Sequence, residues 1–239
     1  INDILRHFES LSDTKINYPK KLKDDRILLN EWLDSHIYQP LLKEDKDRPL
    51  SVNSNKIINS IRPPGLNLGE YSFVQDLKNF IAAHRSIYPD YDFYLLRNLS
   101  KGVGFGFYFL SGGFYPDFML WLKHKTSGKQ YLSFIDPHGL RNEQQKWDSS
   151  KINLHKTIKL KEREINNPNL ILNSFVLQPP PENLFSTGLD GWHREDDPMR
   201  QIPLDDYASQ RNVFAITIDG TESGINGYIN KMISKIIND

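Results

Sequence analysis

The chain of 239 residues contains no cysteine. Disulfide staples, thiolate zinc sites and cysteine nucleophiles are therefore excluded. No apolar run approaches the roughly 20 residues a helix needs to cross a bilayer, and no signal peptide opens the chain. The expected setting is cytoplasmic, with no membrane partner. Net charge is absent as well, with 30 Lys and Arg against 30 Asp and Glu. A coat protein binding nucleic acid non-specifically would carry a basic excess. A protein whose acidic site offsets basic surfaces elsewhere is not excluded. The chain opens on Ile1 rather than Met, and it is read as a piece of something longer or as a trimmed chain.

What is present is enough apolar material for a core: 38% hydrophobic residues, 12% of the chain aromatic. The most organised stretch is Phe114-Tyr-Pro-Asp-Phe-Met-Leu-Trp-Leu122, a polar connector from Lys123 to Lys129, then Gln130-Tyr-Leu-Ser-Phe-Ile-Asp-Pro-His-Gly139. Two apolar runs of strand length around Ser127-Gly128 read as a β-hairpin. The runs are nearly continuous rather than alternating, which predicts strands covered on both faces inside a sheet. Folding the hairpin about the bond between Thr126 and Ser127 sets Asp117 opposite Asp136. Two carboxylates at the open end of a buried hairpin are costly unless a cation lies between them. A divalent ion with oxygen ligands meets that need, and Mg²⁺ suits a site with few protein ligands and several waters.

This constellation resembles the PD-(D/E)xK nuclease family. Pro116-Asp117 stands as its "PD" and Asp136-Pro137-His138 as its "(D/E)xK", with histidine in the lysine position. The fuller strings, Gly-Phe-Tyr-Pro-Asp-Phe and Phe-Ile-Asp-Pro-His-Gly, more closely resemble the C-terminal endonuclease domains of helicase-type restriction subunits, such as the Res subunits of type III systems. The resemblance implies an α/β, restriction-endonuclease-like core, a mixed central sheet flanked by helices, with an N-terminal helical appendage. Residues 1–66 are then a helical connector or accessory segment and 67–239 the nuclease-like domain.

It implies a site as well. Asp117 and Asp136, supplemented by Glu70 and the Pro137 carbonyl, would hold one or two Mg²⁺ ions that activate water and neutralise charge on the phosphate. His138 replaces the lysine that orients the attacking water. Imidazole is a weaker cation, but it can act as a general base or as a further ligand admitting Mn²⁺. Arg141 is a candidate for the missing positive charge. The implied activity is Mg²⁺-dependent cleavage of double-stranded DNA. The implied partners are an ATP-dependent helicase or translocase domain of the same parent chain and a methyltransferase or specificity subunit, in a restriction or phage-defence system. The other reading is a catalytically inactive, nuclease-like module that binds DNA or a partner.

The remaining chain is read around that centre. Before it, Leu22, Ile27, Leu28, Trp32 and Leu33 suggest one helix face, Ile57, Ile58 and Ile61 a second, and Arg62-Pro-Pro-Gly65 a break. Residues 67–81 predict a helix with Phe73, Leu77, Phe80 and Ile81 as its apolar stripe. Glu70 in its first turn is either dipole compensation or a third metal ligand. Asp92–Arg97 predicts the first core strand. Gly102, Gly104 and Gly106 lack the helix and Lys-Ser/Thr that a phosphate loop requires, so Gly102–Leu110 reads as a bent strand, with Gly112-Gly113 turning toward Asp117.

After the hairpin, the segment from Arg141 to Glu164 carries seven basic residues. Ile152, Leu154, Ile158, Leu160 and Ile165 predict a packed helix within it. Its basic face is either solvated or a phosphate-contacting surface, with Arg141, Lys146, Lys151 and Lys156 as DNA-contact candidates. Leu170–Leu177 predicts a strand. Pro179 to about Asn212 reads as irregular, with Gly191 to Asp197 either a second concentration of metal ligands or, more simply, a mobile acidic loop. Asn212–Ile218 predicts a last strand and Gly227–Ile237 a closing amphipathic helix.

Overall fold

The computed structural model describes residues 66–98, 106–109, 112–140, 143, 147–178, 192–216 and 227–238. Of the expected N-terminal connector only Leu66 falls within this set, and it is buried in the main core. The rest of that expectation, residues 1–65, lies outside the described residues.

Helix α1 runs Leu68–His84. Asn67 caps it, since the Asn67 side chain accepts from the Glu70 N–H while the Glu70 carboxylate accepts from the Asn67 N–H. This reciprocal pair satisfies two donors that the first turn would leave orphaned. Phe73, Val74, Leu77 and Phe80 form its buried stripe, with Ile81 packed at the margin. A short 3-10 turn, Arg85–Ile87, leads to strand β1, Tyr91–Arg97.

The central hairpin is β4, Phe118–His124, and β5, Gln130–Asp136. Phe118 faces Ile135 and Lys123 faces Gln130, the register expected from folding the connector at its midpoint. Gly128 closes the turn at φ +71°, a left-handed conformation that glycine adopts without steric cost. Strand β1 pairs antiparallel with β4. On the other side β6, Leu170–Gln178, pairs parallel with β5, and the three-residue β7, Val213–Ala215, pairs parallel with β6. A parallel neighbour requires a crossover, and helix α2, Leu154–Ile165, lies within it. The result is an α/β fold with a five-stranded mixed sheet in the order β1-β4-β5-β6-β7.

The hairpin strands are interior and covered on both faces, as their continuous apolar runs predicted. Phe118, Leu120, Leu122, Tyr131 and Ile135 share a core with α1 and with α4, Tyr228–Asn238, which contributes Ile229, Met232, Ile233 and Ile236. On the opposite face, Met119, Phe134, Leu170 and Leu172 pack with Ile158 of α2. Leu160 and Ile165, expected in the packed face of that helix, are instead 54% and 53% exposed. Leu160 is turned away from the Leu154–Ile158 stripe, whereas Ile165 continues that stripe at the last residue of the helix.

Three further expectations are corrected. The glycine-bearing segment is a strand where it is described, but among the described residues it lies outside the five-stranded sheet. Among the described residues it is β2, Phe107–Phe109, paired with β3, Gly112–Phe114, as a separate two-stranded ribbon. Gly112 and Gly113 are thus strand residues, not a turn. Close approach does occur within the glycine-bearing segment, at Gly106, where a Cβ would sit 2.5 Å from the Tyr115 ring. The stretch expected to be irregular up to Asn212 contains helix α3, Leu204–Gln210.

The expected acidic loop is half buried, with His193, Glu195 and Asp196 exposed. Trp192, Arg194 and Asp197 are inside, and the Trp147 ring packs edge-on against Trp192 and Tyr207. Asp197 accepts the N–H groups of Gln201 and Ile202 and pairs with Arg194. Its carboxylate is spent on the chain itself.

Candidate metal centre

Four segments meet at the open end of the hairpin. The first is the residue pair before β4. The Asn98 side chain donates to the Pro116 carbonyl at 2.7 Å, and the Asn98 N–H donates to the Asp117 carbonyl at 2.6 Å. The end of β1 therefore fixes the backbone that carries Asp117. The second is the first turn of α1, which carries Glu70. The third is the turn after β5, where the His138 N–H donates to Asp136 Oδ1 at 2.8 Å. The fourth is the loop before α2, which brings in Lys151.

Glu70, Asp117 and His138 each place a ligand atom within 4.8 Å of the other two. His138 Nδ1 lies 2.7 Å from Asp117 Oδ2, and His138 Nε2 lies 2.8 Å from the side-chain nitrogen of Asn67. Glu70 is buried, with Arg97 Nη2 at 3.2 and 3.4 Å from its two oxygens. Burial raises its pKa, against the pull of Arg97 and of the Asn67 N–H. The hydrogen bond to Asp117 raises the pKa of His138, opposed by partial burial.

Asp136 stands beside this group rather than in it. Its Oδ1 is 3.8 Å from His138 Nδ1, and its Oδ2 is 3.0 Å from Lys151 Nζ. Burial raises its pKa, Lys151 opposes that, and the Asp117 carboxylate adds to it. The ion ligands expected from the sequence were Asp117, Asp136 and Glu70. The geometry collects Glu70 and Asp117 with His138, and turns Asp136 to a lysine.

The donor set of two carboxylates and one imidazole fits a divalent cation. Oxygen donors suit Mg²⁺. An imidazole nitrogen also admits Mn²⁺ and its neighbours in the first transition row.

The DNA-contact candidates separate. Lys151 lies within the site, its side chain 14% exposed and its ammonium donating to the Gly139 carbonyl at 2.5 Å. Lys156 is exposed on the first turn of α2. Arg141 and Lys146 lie outside the described residues. Three site residues escaped the sequence reading. Asn67 had a signal, the Asn-x-x-Glu spacing of a capping box. Arg97 had a weaker one, since Phe93 and Leu95 alternate toward α1 and Arg97 continues that face. Asn98 had none.

No protein-family model matches the chain, and neither the curated proteins nor the solved structures give a match.

Proposed function

We propose that this chain is a metal-dependent endodeoxyribonuclease domain that hydrolyses phosphodiester bonds in duplex DNA. The observation that carries the reading is the convergence of Glu70, Asp117 and His138 at one end of the interior hairpin, in the segments where the PD and DxK-like strings stand. Leaving aside the β2-β3 ribbon, the order of elements supports it: a helix, three antiparallel strands, a helix and a parallel strand. That order is compatible with a restriction-endonuclease-like core.

In this reading Glu70, Asp117 and His138 hold Mg²⁺ or Mn²⁺. When bound, the ion would supply positive charge toward the phosphate and acidity to a coordinated water. The protein's own residues arrange the rest. Asn67 and Arg97 fix the Glu70 carboxylate, Asn98 fixes the Asp117 backbone, and Asp117 orients the His138 ring. Lys156 and the basic residues along α2 offer phosphate contacts on the surface. The sequence resemblance extends the proposal to the surroundings: a cytoplasmic restriction or phage-defence assembly, an ATP-dependent helicase or translocase in the same parent chain, and a methyltransferase or specificity subunit.

A second reading, a catalytically silent module binding DNA or a partner, draws on a different observation. Arg97 sits on Glu70 and Lys151 on Asp136, so two of the three carboxylates already have internal counter-charges.

Supercoiled plasmid incubated with the protein and Mg²⁺ or Mn²⁺ separates the two. Nicking or linearisation lost in Asp117→Ala and Glu70→Ala supports the nuclease. Metal-independent DNA binding without cleavage, unchanged in both variants, selects the silent module.

A further inference from the structure

We infer that Asp136 is not a ligand of the cation but a positioning residue for Lys151, whose ammonium supplies the positive charge missing from Asp136-Pro137-His138. This rests on the nuclease reading for its chemistry, though not for its geometry. Both Asp136 oxygens are committed. Oδ1 accepts the His138 N–H at 2.8 Å, and Oδ2 faces Lys151 Nζ at 3.0 Å. The Asp136 side chain is 7% exposed and that of Lys151 14%. A buried carboxylate with a hydrogen bond and an ion pair is satisfied as it stands. Pulling it onto a metal would strand a nearly buried ammonium, which is a costly arrangement. Consistently, Asp136 is outside the group of three donors.

The ammonium is positioned from two more sides. The Gly139 carbonyl accepts from it at 2.5 Å, and Gly139 has φ +69°, a left-handed turn that favours glycine. The Phe114 ring centroid lies 6.0 Å away. The loop bearing Lys151 is anchored by Ile152, buried in the tryptophan cluster, and by the Asn153 side chain, which donates to the Asp148 carbonyl. Of the three N–H groups on an ammonium, Asp136 and Gly139 engage two. The third is available to an anionic phosphate oxygen entering between Lys151 and His138.

The test pairs Mn²⁺ affinity, by calorimetry, with Mn²⁺-supported plasmid cleavage, using the full chain. Asp136→Asn is expected to hold Mn²⁺ nearly as well as the wild type, whereas Asp117→Asn loses about tenfold or more. Asp136→Asn and Lys151→Gln are both expected to lower kcat about 100-fold. Lys151→Arg, which keeps the cation, is expected to retain much of the activity that Lys151→Gln loses, a recovery that a merely structural role for the side chain would not give. An Asp136→Asn protein that loses Mn²⁺ as Asp117→Asn does overturns the inference, as does a wild-type protein that binds no Mn²⁺. If the wild type binds Mn²⁺ but does not cut, the nuclease reading fails by itself. Acylation footprinting of Lys151 then decides the geometry. Faster labelling in Asp136→Asn upholds the positioning role, and unchanged labelling rejects it.

Discussion

The Nε2 atom of His138 lies 2.8 Å from the side-chain nitrogen of Asn67. The capping box determines what that contact means. Asn67 Oδ1 is already accepting the Glu70 N–H at 2.9 Å, so the atom facing His138 is the amide nitrogen, which can only donate. His138 Nε2 must therefore accept, and the ring proton resides on Nδ1, where it is donated to Asp117. The N-cap of α1 thus sets the tautomer of a histidine far along the chain.

Nitrogen-15 NMR of the imidazole is expected to show the Nδ1–H form when His138 is neutral. Asp117 pulls the ring toward protonation, whereas the Asn67 donor opposes a second N–H. Asn67→Ser keeps an N-cap oxygen and removes the opposing amide. The His138 pKa in that variant is expected to rise above the wild-type value. A fall, or a wild-type Nε2–H tautomer, contradicts the assignment.

The pH dependence of stability follows from three groups shifted the same way. Glu70 and Asp136 are raised from 4.5 and 3.8, and His138 is raised from 6.5. Each binds its proton more tightly folded than unfolded. The stability each contributes is fully present below its unfolded value and is lost as pH rises through its folded value. In chelator, the melting temperature is expected to fall as pH rises past the ordinary carboxylate range and again above 6.5. Added Mn²⁺ should offset the loss more at high pH than at low. Melts across pH, with Asp136→Asn flattening the acidic limb, check both signs.

Core and surface apolar residues should separate cleanly. Phe118 is fully buried, with its ring edge-to-face with Phe73 at 5.5 Å between centroids. Phe118→Ala is expected to cost about 3–5 kcal/mol in urea unfolding. Leu160 on the exposed side of α2 should cost no more than about 0.5 kcal/mol when changed to Ser.

The buried Arg194–Asp197 pair gives a prediction away from the site. Asp197 accepts two backbone N–H groups, at 2.8 and 3.0 Å, with Arg194 Nη1 at 3.5 Å. Asp197→Ala leaves a buried guanidinium without its counter-charge and is expected to cost about 3–5 kcal/mol. Asp197→Asn retains an acceptor oxygen and should cost less. Denaturant unfolding of both variants measures the difference, and plasmid cleavage should persist wherever the protein remains folded.

Much of this molecule is local enough to be read along the chain. The hairpin register follows from the short connector centred on Thr126 and Ser127, because a brief turn leaves two apolar strands little freedom to slip. Helix α1 and the closing helix α4 follow from stripes at helical spacing, which need a core but do not depend on which core. The same alternation and turn geometry brought Asp117 and Asp136 to one end of the ribbon.

Packing across the fold decided the rest. Arg97 meets Glu70 only because α1 lies over β1. Lys151 meets Asp136 only because the loop before α2 folds back over the end of β5. Arg194 and Asp197 are inside only because Trp147, Trp192 and Tyr207 close over them. Periodicity records which face of an element is apolar, since that preference acts within a few residues. The partner chosen by a buried charge depends on the approach of segments distant in the chain, and for the charges at this site that choice separates a ligand from an anchor.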